Sequence, residues 1–145
     1  MTYDPLLLEN QLCFPLYACA KEVVRRYRTH LEPLGVTYTQ YIAMMILWEH
    51  GDMTEGELGR IIHLDSGTLA PLLKRLEKQG LITRSRPADN ERKLLLRLTA
   101  EGRKLKEAAK KVPAAMKNCI PLEEEELLRL RELLKKAMER MAEEE

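Results

Sequence analysis

The 145-residue sequence offers three soft nucleophiles, Cys13, Cys19 and Cys119. An odd number of cysteines with no CxxC and no zinc-like spacing argues against a disulfide scaffold and a zinc site. His30, His50 and His63 form no ligand spacing, so no metal and no cofactor are expected. A reduced thiol can serve as a small buried hydrophobe or be open to oxidation. A peroxide converts a thiolate, not a thiol, to sulfenic acid, so a cysteine used this way needs a depressed pKa and access. Phenol donors near a thiolate stabilise its charge. Tyr17, Tyr27, Tyr38 and Tyr41 fall in the first two predicted helices, where aromatics ordinarily serve as core or interface.

The second pattern is electrostatic. Formal net charge is only +1, yet residues 74–106 hold eleven Lys/Arg against four Asp/Glu, a balance of +7. The flanking stretches 1–73 and 123–145 each stand at −4. A basic block of this size attracts phosphates by counterion release even on a neutral protein. By composition alone, a solvated helical face is the competing explanation. With 45% hydrophobic and 32% charged residues, the chain reads as one globular domain, or one domain with dimerising arms. Its longest apolar run, Tyr41 to Trp48, spans eight residues, well short of the ~18 of a membrane helix. No secretion signal opens the chain, so a cytoplasmic protein is expected, with no membrane partner.

The elements that position these groups follow from periodicity and punctuation. Asp4-Pro5 reads as a helix start, with Leu6, Leu7, Leu8 and Leu12 opening an apolar stripe that Val23, Val24, Tyr27 and Leu31 continue. Pro15 interrupts it, either kinking one helix or marking a second start near Phe14. A new start there would set Cys13 at a positive helix end, which favours thiolate. Thr37 caps a helix closed by Gly51-Asp52, and Thr54 to Glu57 match a capping box for a short third helix. Asp65 or Ser66 caps a fourth helix running to Gln79, with Leu69, Leu72, Leu73 and Leu76 inward and Lys74, Arg75 and Lys78 outward. The segment from Leu81 to Arg86, the Pro87 to Asn90 turn and Lys93 to Leu98 then form a hairpin. A helix-turn-helix followed by a hairpin tipped with Arg84, Arg86, Arg92 and Lys93 is a winged helix. Thr99 to Asn118 reads as one helix kinked at Pro113, and Glu123 to Met141 as a last helix. Its seam of Leu127, Leu130, Leu134, Ala137 and Met141 has coiled-coil spacing and is expected to pack on a second copy.

Several words in the chain are more specific. Leu8-Glu9-Asn10-Gln11-Leu12-Cys13-Phe14, Tyr38-Thr39-Gln40-Tyr41 and Leu64-Asp65-Ser66-Gly67-Thr68-Leu69 resemble the organic-hydroperoxide-sensing repressors of the MarR family. Leu72 to Glu77, Gln79 to Ile82 and Glu91-Arg92 look similar in order and spacing. The resemblance implies that Cys13 is the sensing thiol, hydrogen-bonded across a dimer interface by Tyr27 and Tyr38. Cys119 stands about where some members carry a resolving cysteine, and Cys19 matches no functional position. The wing departs from the family pattern, reading Asn90-Glu91-Arg92 where Asp-x-Arg is usual.

The expected fold is mainly α with a small β-hairpin wing. Residues 37–106 form the winged helix-turn-helix DNA-binding domain, and residues 1–36 and 107–145 the dimerisation helices. Ser66, Thr68, Lys74 and Arg75 are expected in or beside the major groove, with Arg84, Arg86 and Arg92 on the wing. The expected function is a homodimeric repressor that binds pseudo-palindromic double-stranded operator DNA. Oxidation of Cys13 by an organic hydroperoxide, resolved by an intersubunit disulfide with Cys119, would release it. A repressor gated by a small aromatic ligand is one alternative, and a thiol peroxidase or oxidoreductase is another.

Overall fold

The computed structural model describes residues 3–144. Helix α1 spans Cys13–Leu31 and does not begin at Asp4. The Asp4 carboxylate instead accepts from the Leu6 N–H at 2.9 Å, and Asn10 donates back to the Asp4 carbonyl at 2.7 Å. Gln11 likewise reaches the Pro5 carbonyl. These bonds make a side-chain-knotted turn ending in a 3-10 turn, Leu8–Asn10. Pro15 explains why the helix waits. A helix running through it would leave the Gln11 carbonyl without a donor. Starting at Cys13 places the proline in the first turn, where backbone N–H groups lack intrahelical partners anyway.

The next three helices start where their caps predict. Helix α2 (Tyr38–His50) has a full capping box between Thr37 and Gln40. A second box, between Thr54 and Glu57, opens α3 (Glu55–Ile62). Asp65 caps α4 (Ser66–Lys78), accepting from the Thr68 N–H at 2.7 Å. Gly80, at φ 76°, lets the chain turn out of α4 in a left-handed conformation.

Strand β2 (Ile82–Ser85) pairs antiparallel with β3 (Leu95–Leu98), Ile82 opposite Leu98 and Ser85 opposite Leu95. A third strand, β1 (Met53–Thr54), completes an antiparallel sheet in the order β1-β3-β2. Two residues are too few to show alternation in sequence, so β1 becomes visible only through its pairing with Leu95 and Leu96.

The expected single helix over Thr99 to Asn118 is two helices, α5 (Ala100–Ala109) and α6 (Lys111–Ala115). Pro113 acts as Pro15 does, falling in the first turn of a new helix rather than bending an old one. Thr99 caps α5 by accepting from the Gly102 N–H at 3.0 Å and donates its own hydroxyl to the Gly80 carbonyl at 2.6 Å. Trp48 Nε1 donates to the Gly102 carbonyl at 2.9 Å. This junction ties α2, α5 and the base of the hairpin together, and it requires a glycine. A Cβ at Gly102 would lie 2.1 Å from the Leu81 carbonyl oxygen. Gly102→Ala is therefore expected to destabilise the protein by about 1–3 kcal/mol through overpacking, seen as a lower urea midpoint with unchanged slope.

Two apolar clusters result. One fills the space between α2, α3, α4 and the sheet around Met44, Leu47, Leu58, Leu73, Leu76 and Leu96. The other gathers Leu31, Val36, Tyr41, Ala109, Val112 and Met116, with Tyr27, Tyr38 and Cys119 packed against it. Helix α7 (Glu124–Glu143) stands outside both and buries none of its residues, whereas α1 joins the second cluster only at its C-terminal end, through Leu31 and Tyr27.

Candidate functional site

The first surface is the reading head. Ser66, Gly67 and Thr68 lie exposed at the start of α4, with Lys74, Arg75 and Lys78 exposed further along it. Between the start of α4 and the wing runs a groove of about 930 Å³, lined by Arg60, Ser66, Arg86, Arg92 and Lys93 among others. The wing tip is built locally. Asn90 Oδ1 accepts from the Arg92 N–H at 3.1 Å, and Arg86 Nη1 donates to the Glu91 carbonyl at 3.0 Å. Asn90, the departure from the usual aspartate, thus braces the turn through a backbone donor. Arg92 keeps its guanidinium exposed and makes no ion pair among the described residues. Arg84 differs. Its side chain, 20% exposed, pairs with Glu77 at 3.1 Å and joins β2 to α4. This pairing holds the Glu77 carboxyl below its ordinary pKa.

The second feature is the set of thiols, all three of them free, with Cys119 half-buried. Cys13 is exposed and is the first residue of α1, where no side chain caps the helix. The positive end of the helix dipole therefore points at its neighbourhood. Cys19, six residues further along α1, is also exposed. Tyr27 and Tyr38 lie with ring centroids 4.8 Å apart, and Tyr41 is 5.9 Å from Tyr27. Burial pushes the Tyr27 phenol up to about 12, helped by its Tyr38 and Tyr41 neighbours and by the Cys119 thiol. Tyr38 is raised by burial and then by Cys119. Both phenols are therefore protonated donors at neutral pH. Within one chain they are companions of Cys119, on the cluster at the far end of α1 from Cys13.

Sequence spacing missed two features. Arg26 Nη1 donates to the Cys119 carbonyl at 2.6 Å across 93 positions, while its Nε donates to Glu22 at 3.0 Å. Glu22 also binds Arg25 at 2.6 Å, and hydrogen bonds from Arg25 and then Arg26 lower its carboxyl pKa to about 2. Gln79, at the end of α4, donates to the Gly35 carbonyl at 2.6 Å and accepts from the buried Gln40 at 3.2 Å. It keys the reading helix to the α1–α2 turn. No short-range pattern encodes either contact.

Residues 36–94, from Val36 through most of the wing, match the MarR family profile. The organic hydroperoxide resistance transcriptional regulator of Bacillus subtilis (strain 168) is 45% identical, covering 91% of this chain and 90% of its own length. The chain belongs to the MarR family. As a MarR-family protein it is a transcriptional regulator, not an enzyme, and its fold is a winged helix-turn-helix. AbfR, a protein of Staphylococcus epidermidis, provides two structural comparisons. Reduced AbfR bound to DNA matches this MarR-family chain at a TM-score of 0.78 and 32% identity, covering 93% and 94% of the two chains. Disulfide-formed AbfR matches less closely, at 0.65 and 36% identity over 90% and 92%. Among the described residues, no helix of this MarR-family protein is long and apolar enough to cross a membrane.

Proposed function

We propose that this MarR-family regulator is a homodimeric repressor that holds a pseudo-palindromic operator while Cys13 is reduced. It releases the operator after an organic hydroperoxide oxidises that thiol. The Cys13 thiolate attacks a peroxide oxygen, the O–O bond breaks, and the alkoxide leaves as the alcohol, so the net products are a sulfenic acid and R–OH. Cys119 of the second subunit then condenses with the sulfenic acid.

The observation that carries this reading is the separation of its parts within one chain. Tyr27, Tyr38 and Cys119 share one cluster, while Cys13 is exposed at the free start of α1. A two-fold axis that places each Cys13 against the other subunit's cluster supplies both phenol donors and a resolving thiol, twice per dimer. The exposed apolar faces of the outer helices support such pairing: Phe14 and Tyr17 on α1 are 46% and 61% exposed, and Leu133 and Met138 on α7 are 50% and 45% exposed. The similarity to reduced and disulfide-formed AbfR supports a thiol-based switch on the same scaffold.

On the operator, Ser66 and Thr68 at the start of α4 suit phosphates, Lys74 and Arg75 suit the major groove, and Arg86 and Arg92 suit the wing's groove. Arg84 acts on the same interface by bracing β2 against α4. The decisive experiment combines a gel-shift on a palindromic promoter fragment with non-reducing electrophoresis, before and after cumene-type hydroperoxide. Release accompanied by a covalent dimer is expected for wild type, and no covalent dimer for Cys119→Ser. A Cys119→Ser chain that still cross-links would remove Cys119 as the resolving thiol.

A further inference from the structure

We infer that Arg26 is a positioning residue for the disulfide-coupling step, its guanidinium holding the Cys119 segment where that thiol meets the oxidised Cys13. The inference rests on the function proposed above and deepens it. Residues 116–122, between α6 and α7, contain no regular element and are held by bonds back to α6, Met116 N–H to the Val112 carbonyl at 3.0 Å and Lys117 N–H to the Ala114 carbonyl at 3.4 Å, and by bonds within themselves. Cys119 N–H donates to Met116 at 3.0 Å, and Leu122 N–H to Ile120 at 2.8 Å. Among the described residues, one hydrogen bond ties this segment to α1: Arg26 Nη1 to the Cys119 carbonyl, at 2.6 Å. It grips the backbone of the very residue that carries the thiol.

The grip is itself anchored. Arg26 Nε is held by Glu22 one turn earlier at 3.0 Å, so the planar fork spans a carboxylate on one side and the Cys119 carbonyl on the other. Arg26 immediately precedes Tyr27 in α1, so the same helix turn sets both a phenol and the thiol beside it. Coupling of Cys119 to the sulfenic acid forms the S–S bond and breaks the S–O bond. The hydroxyl leaves with the thiol proton as water, and nothing further is consumed. That step is sensitive to where the attacking sulfur sits, whereas attack of Cys13 on a peroxide does not involve Arg26.

The two steps are separable in time. Rapid mixing with cumene-type hydroperoxide, quenched at intervals with a 1,3-dione, reads sulfenic acid by mass, and non-reducing electrophoresis reads the disulfide. In Arg26→Ala, disulfide formation is expected to slow about tenfold or more, with sulfenic acid formation within about twofold of wild type and more sulfinic acid at high peroxide. Arg26→Lys, which keeps a cationic donor but not the planar fork, is expected to recover only part of the rate. Unchanged coupling in Arg26→Ala, or equal slowing of both steps, would overturn the inference. If Arg26→Ala does not fold, Glu22→Gln decides: slower coupling supports the anchored grip, and an unchanged rate overturns it. A wild-type chain that stops at sulfenic acid removes Cys119 as the resolving thiol, and this inference with it. A wild type that couples while Arg26→Ala couples equally fast removes only this inference.

Discussion

A Cys13→Ser chain is expected to stay on its operator at hydroperoxide concentrations that strip the wild type from it. Wild type should lose roughly 5- to 150-fold in affinity, the range spanned by ordinary coupling between sites, while the serine chain changes by less than about twofold by the same linkage. Serine is close to cysteine in size, and position 13 is exposed, so the substitution costs the fold little. What it removes is a sulfur that can be oxidised. The coupling has a physical route. Disulfide formation draws the start of one α1 toward the segment after α6 of the other subunit, and the α1–α2 turn is bonded through Gln79 to the end of the reading helix. Reading helices a few ångströms out of register no longer meet half-sites one helical turn apart. Cys19→Ser, on the same helix and also exposed, is the control expected to behave as wild type. Equal release by Cys13→Ser and wild type would end the account.

The second large effect belongs to the wing. Arg92→Ala is expected to weaken operator binding by about 1–3 kcal/mol. It should also flatten the dependence of log affinity on log salt by about 0.9 per lost phosphate contact, hence about 1.8 for the two wings of a dimer. The expectation follows from what Arg92 lacks. The turn around it is satisfied by the Asn90 side chain and by Arg86, leaving its guanidinium uncommitted at the edge of the groove. Arg84 gives the opposite profile, because its charge is spent on Glu77. Arg84→Ala should lower the unfolding midpoint while leaving the salt slope nearly unchanged. An unaltered affinity and slope for Arg92→Ala would mean that the wing does not touch DNA.

Much of the scaffold is legible in the sequence. The starts at Thr37, Thr54, Asp65 and Thr99, the inward leucines of α4 and the antiparallel hairpin all follow from rules acting over about four residues. Pro15 and Pro113 marked breaks, but their side of the break needed three dimensions. A proline is compatible with a kink or a first turn, and the neighbouring packing chooses between them. The helix expected from Asp4 failed because Asn10 and Gln11 fold back on the Asp4 and Pro5 carbonyls, and helix propensity does not register that competition.

The sequence by itself determined the winged helix, the basic block that decorates it and, through the words along that winged helix, the family. Caps, periodicity and charge are local, and each is written in consecutive residues. Only the tertiary structure decided that Tyr27 and Tyr38 keep company with Cys119 rather than with Cys13 in the same chain. It alone committed Arg84 to Glu77, added β1 to the sheet and brought Arg26 onto the Cys119 carbonyl. Those pairings join residues up to 93 positions apart. They are chosen by how helices pack around two cores, a property of the whole folded chain that no short window of sequence contains.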